Sequence, residues 1–350
     1  MKKVTRWLSL AICLGVLAGG AFVGCNKEAN GGTFEEGFEY TSDNLSTLLG
    51  KKVGVLQMNN VPGLTFKAVL NKHGVAWQEL TNTGNAAADK VNLIAITDAS
   101  AVASVDADCF VVAEPAATAQ AKNGFSIVGN LQTLYGGENG YPQAALLAKT
   151  ELVETRGAWL DAFAQKVSDS AAWLTTASGS EIVSAVSAHM ADSGMATSLK
   201  APLLTADVLG RCGVRFAYAA DIAAQTQTFL EDLISVNPQA TKLPNAAFFW
   251  TGVQEPTESI PPKEITVYMP DGAPALALAG LMHEDNANDG VTYRVVDATA
   301  IVATTTYEEE TKNADICVMP INAAAKWHGE GGRYIMIGAV THGNLYMIAK

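Results

Sequence analysis

Short apolar runs bounded by turn residues alternate along the chain with stretches whose apolar residues recur every three or four positions. That alternation predicts strands feeding into helices. One unit opens with a strand at 52–56, turns through Asn59 and Asn60, and starts a helix near Pro62. A second opens at 265–269, turns through Asp271 and Gly272, and starts a helix near Pro274. Proline suits the first turn of a helix, where its missing N–H would have no partner anyway.

Each unit continues into a second matching block, 107–117 in the first and 314–324 in the second. Both blocks read as a polar turn, a buried strand and a helix start. The landmarks are similarly spaced, 46 residues from Pro62 to Asp108 and 41 from Pro274 to Asp315. Two α/β units with one layout predict two lobes of similar construction. The stretch 150–250 reads as mostly helical. Ser178 and Glu181 have capping-box spacing before an apolar run, and Ile222, Phe229, Leu230 and Leu233 form one stripe over 221–236. Three prolines within 254–263 mark the clearest linker.

Composition narrows the classes. The 350 residues carry a net charge of −12, which gives no field to attract nucleic acid or an anionic membrane surface. At 49% hydrophobic and 17% charged the chain can bury a large core, which excludes disorder.

The first residues add an address. Lys2, Lys3 and Arg6 precede an apolar stretch over 7–23 that ends at Gly24-Cys25. This is similar to a bacterial lipoprotein signal, with 1–24 removed, Cys25 lipidated and 25–42 a tether; an uncleaved anchor is the alternative. Either way the chain is expected to be exported and held at the membrane's extracytoplasmic face. The remaining cysteines, Cys109, Cys212 and Cys317, show no disulfide or zinc spacing, and Cys109 and Cys317 fall in apolar runs that read as buried strands.

Candidate chemistry is sparse. The chain has no nucleophile elbow, Walker loop, dinucleotide fingerprint or His-Glu-x-x-His motif. Surface turns explain the histidines at 283 and 328 as well as a metal site would, so no metal, cofactor or catalytic residue is assigned. Ligands of parallel α/β sheets collect at strand carboxyl ends, beside helix N-termini. Four such junctions are visible, at Asn59-Asn60, Glu114, Asp271-Gly272-Ala273 and Ile321-Asn322. Together they predict a cleft of partial positive charge for a small ligand with an anionic or strongly polar end. His342, in the polar cluster Thr341 to Asn344 that interrupts an apolar run, reads as either a cleft residue or a satisfied structural histidine.

Pro270-Asp271-Gly272-Ala273, Ala314-Asp315-Ile316-Cys317, Gly343-Asn344-Leu345-Tyr346, Gly50-Lys51-Lys52-Val53 and Val112-Ala113-Glu114-Pro115 span nearly the whole mature chain. In these landmarks it resembles the solute-binding lipoproteins of ABC importers in the sulfonate, nitrate and thiamine-pyrimidine group. The resemblance implies an α/β, two-lobed type II periplasmic-binding-protein fold with a hinge and an interlobe cleft. Their order departs from the family's, in which the Pro-Asp-Gly-Ala segment comes first, so the chain reads as a circular permutant. On that reading lobe B covers 43–135 and lobe A covers 141–350, joined by a single crossover near 135–141, with a looser hinge as the consequence.

The implied function is capture of a small ligand and its delivery to an ABC permease and its ATPase, by a monomer anchored through lipid. Asn59, Asn60, Gly272, Ala273, Ile321 and Asn322 would hold the polar end of the ligand. Thr341, His342 and Asn344 would orient it, and Glu114 would accept from a donor. Trp250 is a stacking surface or part of the core. Two alternatives stay open: a sensing or adhesion lipoprotein on the same fold, and an enzyme of the pyrimidine-forming kind.

Overall fold

A computed structural model describes residues 32–34, 38–40, 44–81, 84–137, 140–192, 194–253, 264–284, 290–306 and 313–350. The expected signal, Cys25 and the linker 254–263 lie outside the described residues. Two short strands, β1 (Gly32–Phe34) and β2 (Phe38–Tyr40), pair antiparallel within the stretch expected to be a tether.

The chain then runs β3 (Lys52–Leu56), α1 (Val61–Lys72), β4 (Trp77–Glu79), β5 (Val91–Ile96), β6 (Cys109–Ala113), α2 (Ala116–Ala121), β7 (Ser126–Asn130) and α3 (Leu131–Tyr135). After a crossover come β8 (Ala144–Lys149), α4 (Thr150–Trp173), α5 (Gly179–Ala188), α6 (Ala206–Arg211), β9 (Val214–Tyr218) and α7 (Ala219–Val236). The last third holds β10 (Ile265–Pro270), α8 (Ala273–Ala277), α9 (Ala279–His283), β11 (Val291–Val296), β12 (Ile316–Pro320), α10 (Ile321–Gly329), β13 (Tyr334–Thr341) and β14 (Leu345–Ala349). The protein is an α/β chain with two six-stranded mixed sheets, ordered β4-β5-β3-β6-β14-β7 and β11-β10-β12-β8-β13-β9.

The two sheets share a plan. In each, a central parallel pair, β3 with β6 or β10 with β12, is followed by one antiparallel strand, β14 or β8. That antiparallel strand is in each case the first one laid down after the chain crosses from the other sheet. β14 therefore belongs with the 44–135 lobe, and the expected boundary at 350 is corrected: lobe B is 44–135 plus β14, and lobe A is 144–341. The physical reason is pairing, since β14 lies in register between β6 and β7, with Leu345 opposite Ala113 and Tyr346 opposite Asn130.

Two crossovers, at 136–143 and 342–344, thus connect the lobes where one was expected. A third tie is α7, which follows β9 in lobe A yet packs on α1 of lobe B. Its Phe229 ring stacks on Tyr141 at a centroid distance of 4.8 Å, and its Asp232 receives the Tyr135 hydroxyl at 2.6 Å and the Lys72 ammonium at 2.9 Å. The buried stripe of Phe229, Leu230 and Leu233 merges with the lobe B core into one apolar cluster. The lobes are therefore not joined by the single loose connection that was expected.

The predicted capping box closes α5, with Ser178 and Glu181 exchanging side-chain and backbone bonds. Cys109, Cys212 and Cys317 are all buried free thiols. Trp250 is buried in the lobe A core.

Candidate functional site

The carboxyl ends of the parallel strands in both lobes face one cleft of ≈ 240 Å³. Lobe B contributes Leu56, Gln57 and Asn60 after β3, and Ala113 to Ala116 after β6. Lobe A contributes Pro270 to Pro274 after β10, with Ala298, Pro320 and Thr341 from the ends of its other strands. Gln143 and Asn344 line it from the two crossovers, and Ser198 stands at its edge.

Geometry at the first junction follows from packing. The α1 residue Gly63 lies so close to the preceding loop that a Cβ there would fall 2.3 Å from the Met58 carbonyl oxygen. The buried Lys67 ammonium holds that carbonyl at 3.1 Å while pairing with Glu79 at 2.6 Å. The loop is thereby pressed onto the helix, and Gln57 adopts a left-handed φ of 47° at the cleft wall. Asn60 caps the helix, its Oδ1 accepting from Val61 N at 2.9 Å.

At the second junction Glu114 is buried and its carboxylate is fully engaged. It accepts from Arg211 Nε at 2.7 Å, from Thr118 N at 3.0 Å and from the Thr118 hydroxyl at 2.8 Å. Arg211 closes α6 in lobe A, so this ion pair spans the two lobes. Arg211 Nη2 also donates to Thr118 Oγ1 at 2.8 Å. At the third junction Asp271 accepts from the Thr197 hydroxyl and from Ser198 N, both at 2.6 Å. Gly272 precedes α8 at a φ of 95°, with open space where a side chain would stand.

The crossovers mirror each other. Glu114 N donates to Asn344 O at 2.9 Å, and Ile321 N donates to Gln143 O at 3.0 Å, at equivalent places in the two lobes. The Gln143 amide then donates to Asn344 Oδ1 at 2.8 Å, and Asn344 Nδ2 donates to Glu114 O at 3.3 Å.

Of the residues expected at a ligand, Asn60, Glu114, Asp271, Gly272, Ala273, Thr341 and Asn344 line the cleft. Asn59, Ile321, Asn322 and His342 are not in its lining. Asn59 is exposed, and Ile321 is part of the core. Asn322 turns away, its Nδ2 3.3 Å from Ala240 O and its carbonyl accepting from the Thr241 hydroxyl at 2.8 Å. His342 is buried, and its ring nitrogens have no hydrogen-bond partner among the described residues. Burial, reinforced by the nearby Arg215 charge, pushes its pKa down to about 3, so the imidazole is neutral.

Gln57, Gln143 and Ser198 were not expected at the site, nor was Arg211 behind Glu114. Gln143 had one usable signal: it precedes a strand at a crossover as Asn344 does. Among the described residues, no group of three His, Cys, Asp or Glu side chains is placed to hold a metal ion, and no helix is long and apolar enough to cross a membrane. Comparison with protein-family models finds no match for this chain, and comparison with curated proteins finds none either.

Proposed function

We propose that the chain is a lipid-anchored, extracytoplasmic solute receptor of an ABC importer, built on a circularly permuted type II periplasmic-binding-protein fold. The observation that carries this reading is the cleft itself. Two sheets of matching topology turn their strand ends toward one another, and both chain crossovers run beside the enclosed space. Such an arrangement binds a ligand by closing two lobes around it. The strand order supports permutation: β14 occupies in lobe B the place that β8 occupies in lobe A, and in the resembling family such a strand leads directly into the counterpart of β3. Delivery to a permease and its ATPase, anchoring through Cys25 and a monomeric state belong to the same proposal.

A thermal-shift screen of the full chain against sulfonates, nitrate, pyrimidines, thiamine precursors, flavins and divalent metals tests the reading. A ligand at about a hundred times its dissociation constant should stabilise the fold by about 2.7 kcal/mol. A flat response from a cooperatively melting protein would count against a receptor and favour the sensing alternative. The enzyme alternative draws no support from the cleft, because His342, the residue it would rely on, does not line it.

A further inference from the structure

We infer that the cleft selects an uncharged solute presenting N–H or O–H donors, and that it rejects small anions. This inference rests on the receptor reading and narrows its ligand class. Helix N-termini favour anions only while their N–H groups remain free. Here the protein's own acceptors take one such N–H at each of three of the four helix starts. The Asn60 side chain takes Val61 N of α1, the Glu114 carboxylate takes Thr118 N of α2, and the Gln143 carbonyl takes Ile321 N of α10. Pro62 and Pro274 remove a further N–H from the first turns of α1 and α8.

Side-chain charge points the same way. Among the described residues lining the cleft there is no Lys, Arg or His, whereas two acidic residues, Glu114 and Asp271, are present, the Glu114 side chain having no exposed surface. Glu114 is paired with Arg211, and among the described residues Asp271 is met only by uncharged donors. An incoming anion would be desolvated against a negative charge with no cation to receive it.

The polar groups left for a ligand are uncharged, and each can accept a hydrogen bond. The Thr341 hydroxyl has no hydrogen-bond partner among the described residues, and the Gln57 amide makes only a 3.5 Å contact with Asn60. Gln143 Oε1 is buried beside them without a partner. Rigid proline and alanine surfaces complete the walls, which suits the faces of a small neutral ring.

Isothermal titration of the full chain with uracil, nicotinamide and inositol as uncharged probes, methanesulfonate and nitrate as anions, and choline as a cation tests this. Binding by an uncharged probe, weakened about fivefold or more in Thr341→Val and in Gln57→Leu with the melting transition retained, is the expected result. Tightest binding by methanesulfonate or nitrate would overturn the inference and leave the receptor reading standing, as would tightest binding by choline. Uncharged binding that both variants leave unchanged would overturn the residue assignment. Absence of binding by every probe would overturn the inference and the receptor reading together.

Discussion

Gln143 and Asn344 meet side chain to side chain, Nε2 to Oδ1 at 2.8 Å, and so join the two segments by which the chain passes between its lobes. They are equivalent positions, since each carbonyl receives an N–H from the residue that follows the neighbouring β6 or β12 strand. The contact therefore ties the two crossovers to each other, so a change in the angle between the lobes should strain it. A double-mutant cycle with Gln143→Leu and Asn344→Leu should give a coupling of about 1 kcal/mol in urea unfolding. Purely additive effects would mean that the crossovers are held by their backbones alone.

The Glu114–Arg211 pair is an electrostatic tie between the lobes with one partner fully buried. Glu114 has no exposed side-chain surface, while the Arg211 side chain is 34% exposed. Replacing Arg211 with Met should strand a buried carboxylate whose remaining donors both come from Thr118. A loss of about 2–3 kcal/mol is expected, below the full cost for a buried pair because solvent screens the guanidinium. The double variant Glu114→Gln with Arg211→Met should recover most of that loss. Solution scattering should also show a larger radius for Arg211→Met alone. A single variant as stable and as compact as the parent would show that the pair does not hold the lobes together.

Gly63 links a local packing rule to the cleft. A methyl group there would overlap Met58 backbone atoms at 2.3 to 2.5 Å, so either the loop or the helix must move. Gly63→Ala should cost about 1–3 kcal/mol despite alanine's better helix propensity. Because Gln57 and Asn60 ride on the same loop, binding of any cleft ligand should weaken more than in an equally destabilised core variant. Equal weakening in the two would show that the loop shifts without disturbing the site.

The units over 52–62 and 265–274 were legible because both signals are local: a short apolar run, then a proline in the first helical turn. The stripe of α7 was legible for the same reason, although its partner was not. Nothing in the periodicity of Ile222, Phe229 and Leu233 says that they cover α1 of the other lobe. β14 was misassigned because 334–341 and 345–349 are apolar runs of one kind, and only pairing with β6 and β7 places the second in lobe B. The cleft was visible as strand ends but not as chemistry. Whether a helix N-terminus is free depends on distant partners, and Glu114 meets Arg211 across 97 positions of sequence. The expectation of a ligand with an anionic or strongly polar end came from reading those termini as unoccupied, whereas at α1, α2 and α10 one N–H already has an acceptor within the protein.

His342 makes the fold sensitive to acid in a defined window. Its folded pKa, about 3, lies below the ordinary value of 6.5 because burial and then the Arg215 charge disfavour the imidazolium. Below pH 6.5 the unfolded chain takes up a proton that the folded chain refuses until about pH 3. The stability associated with the neutral ring is complete above pH 6.5 and is lost as the pH falls through that interval. By pH 5 the loss from this one group should be about 2 kcal/mol. His342→Leu, similar in size and unable to titrate, also removes two buried nitrogens that have no partner among the described residues. Its stability at pH 7 should match or exceed that of the parent, and its urea midpoint should fall less between pH 7 and pH 5. The difference between the two pH profiles isolates His342, since every other titrating group is common to both proteins. Parallel profiles would mean that the folded imidazole accepts a proton as readily as the unfolded one, and hence that the crossover at 342–344 opens to water.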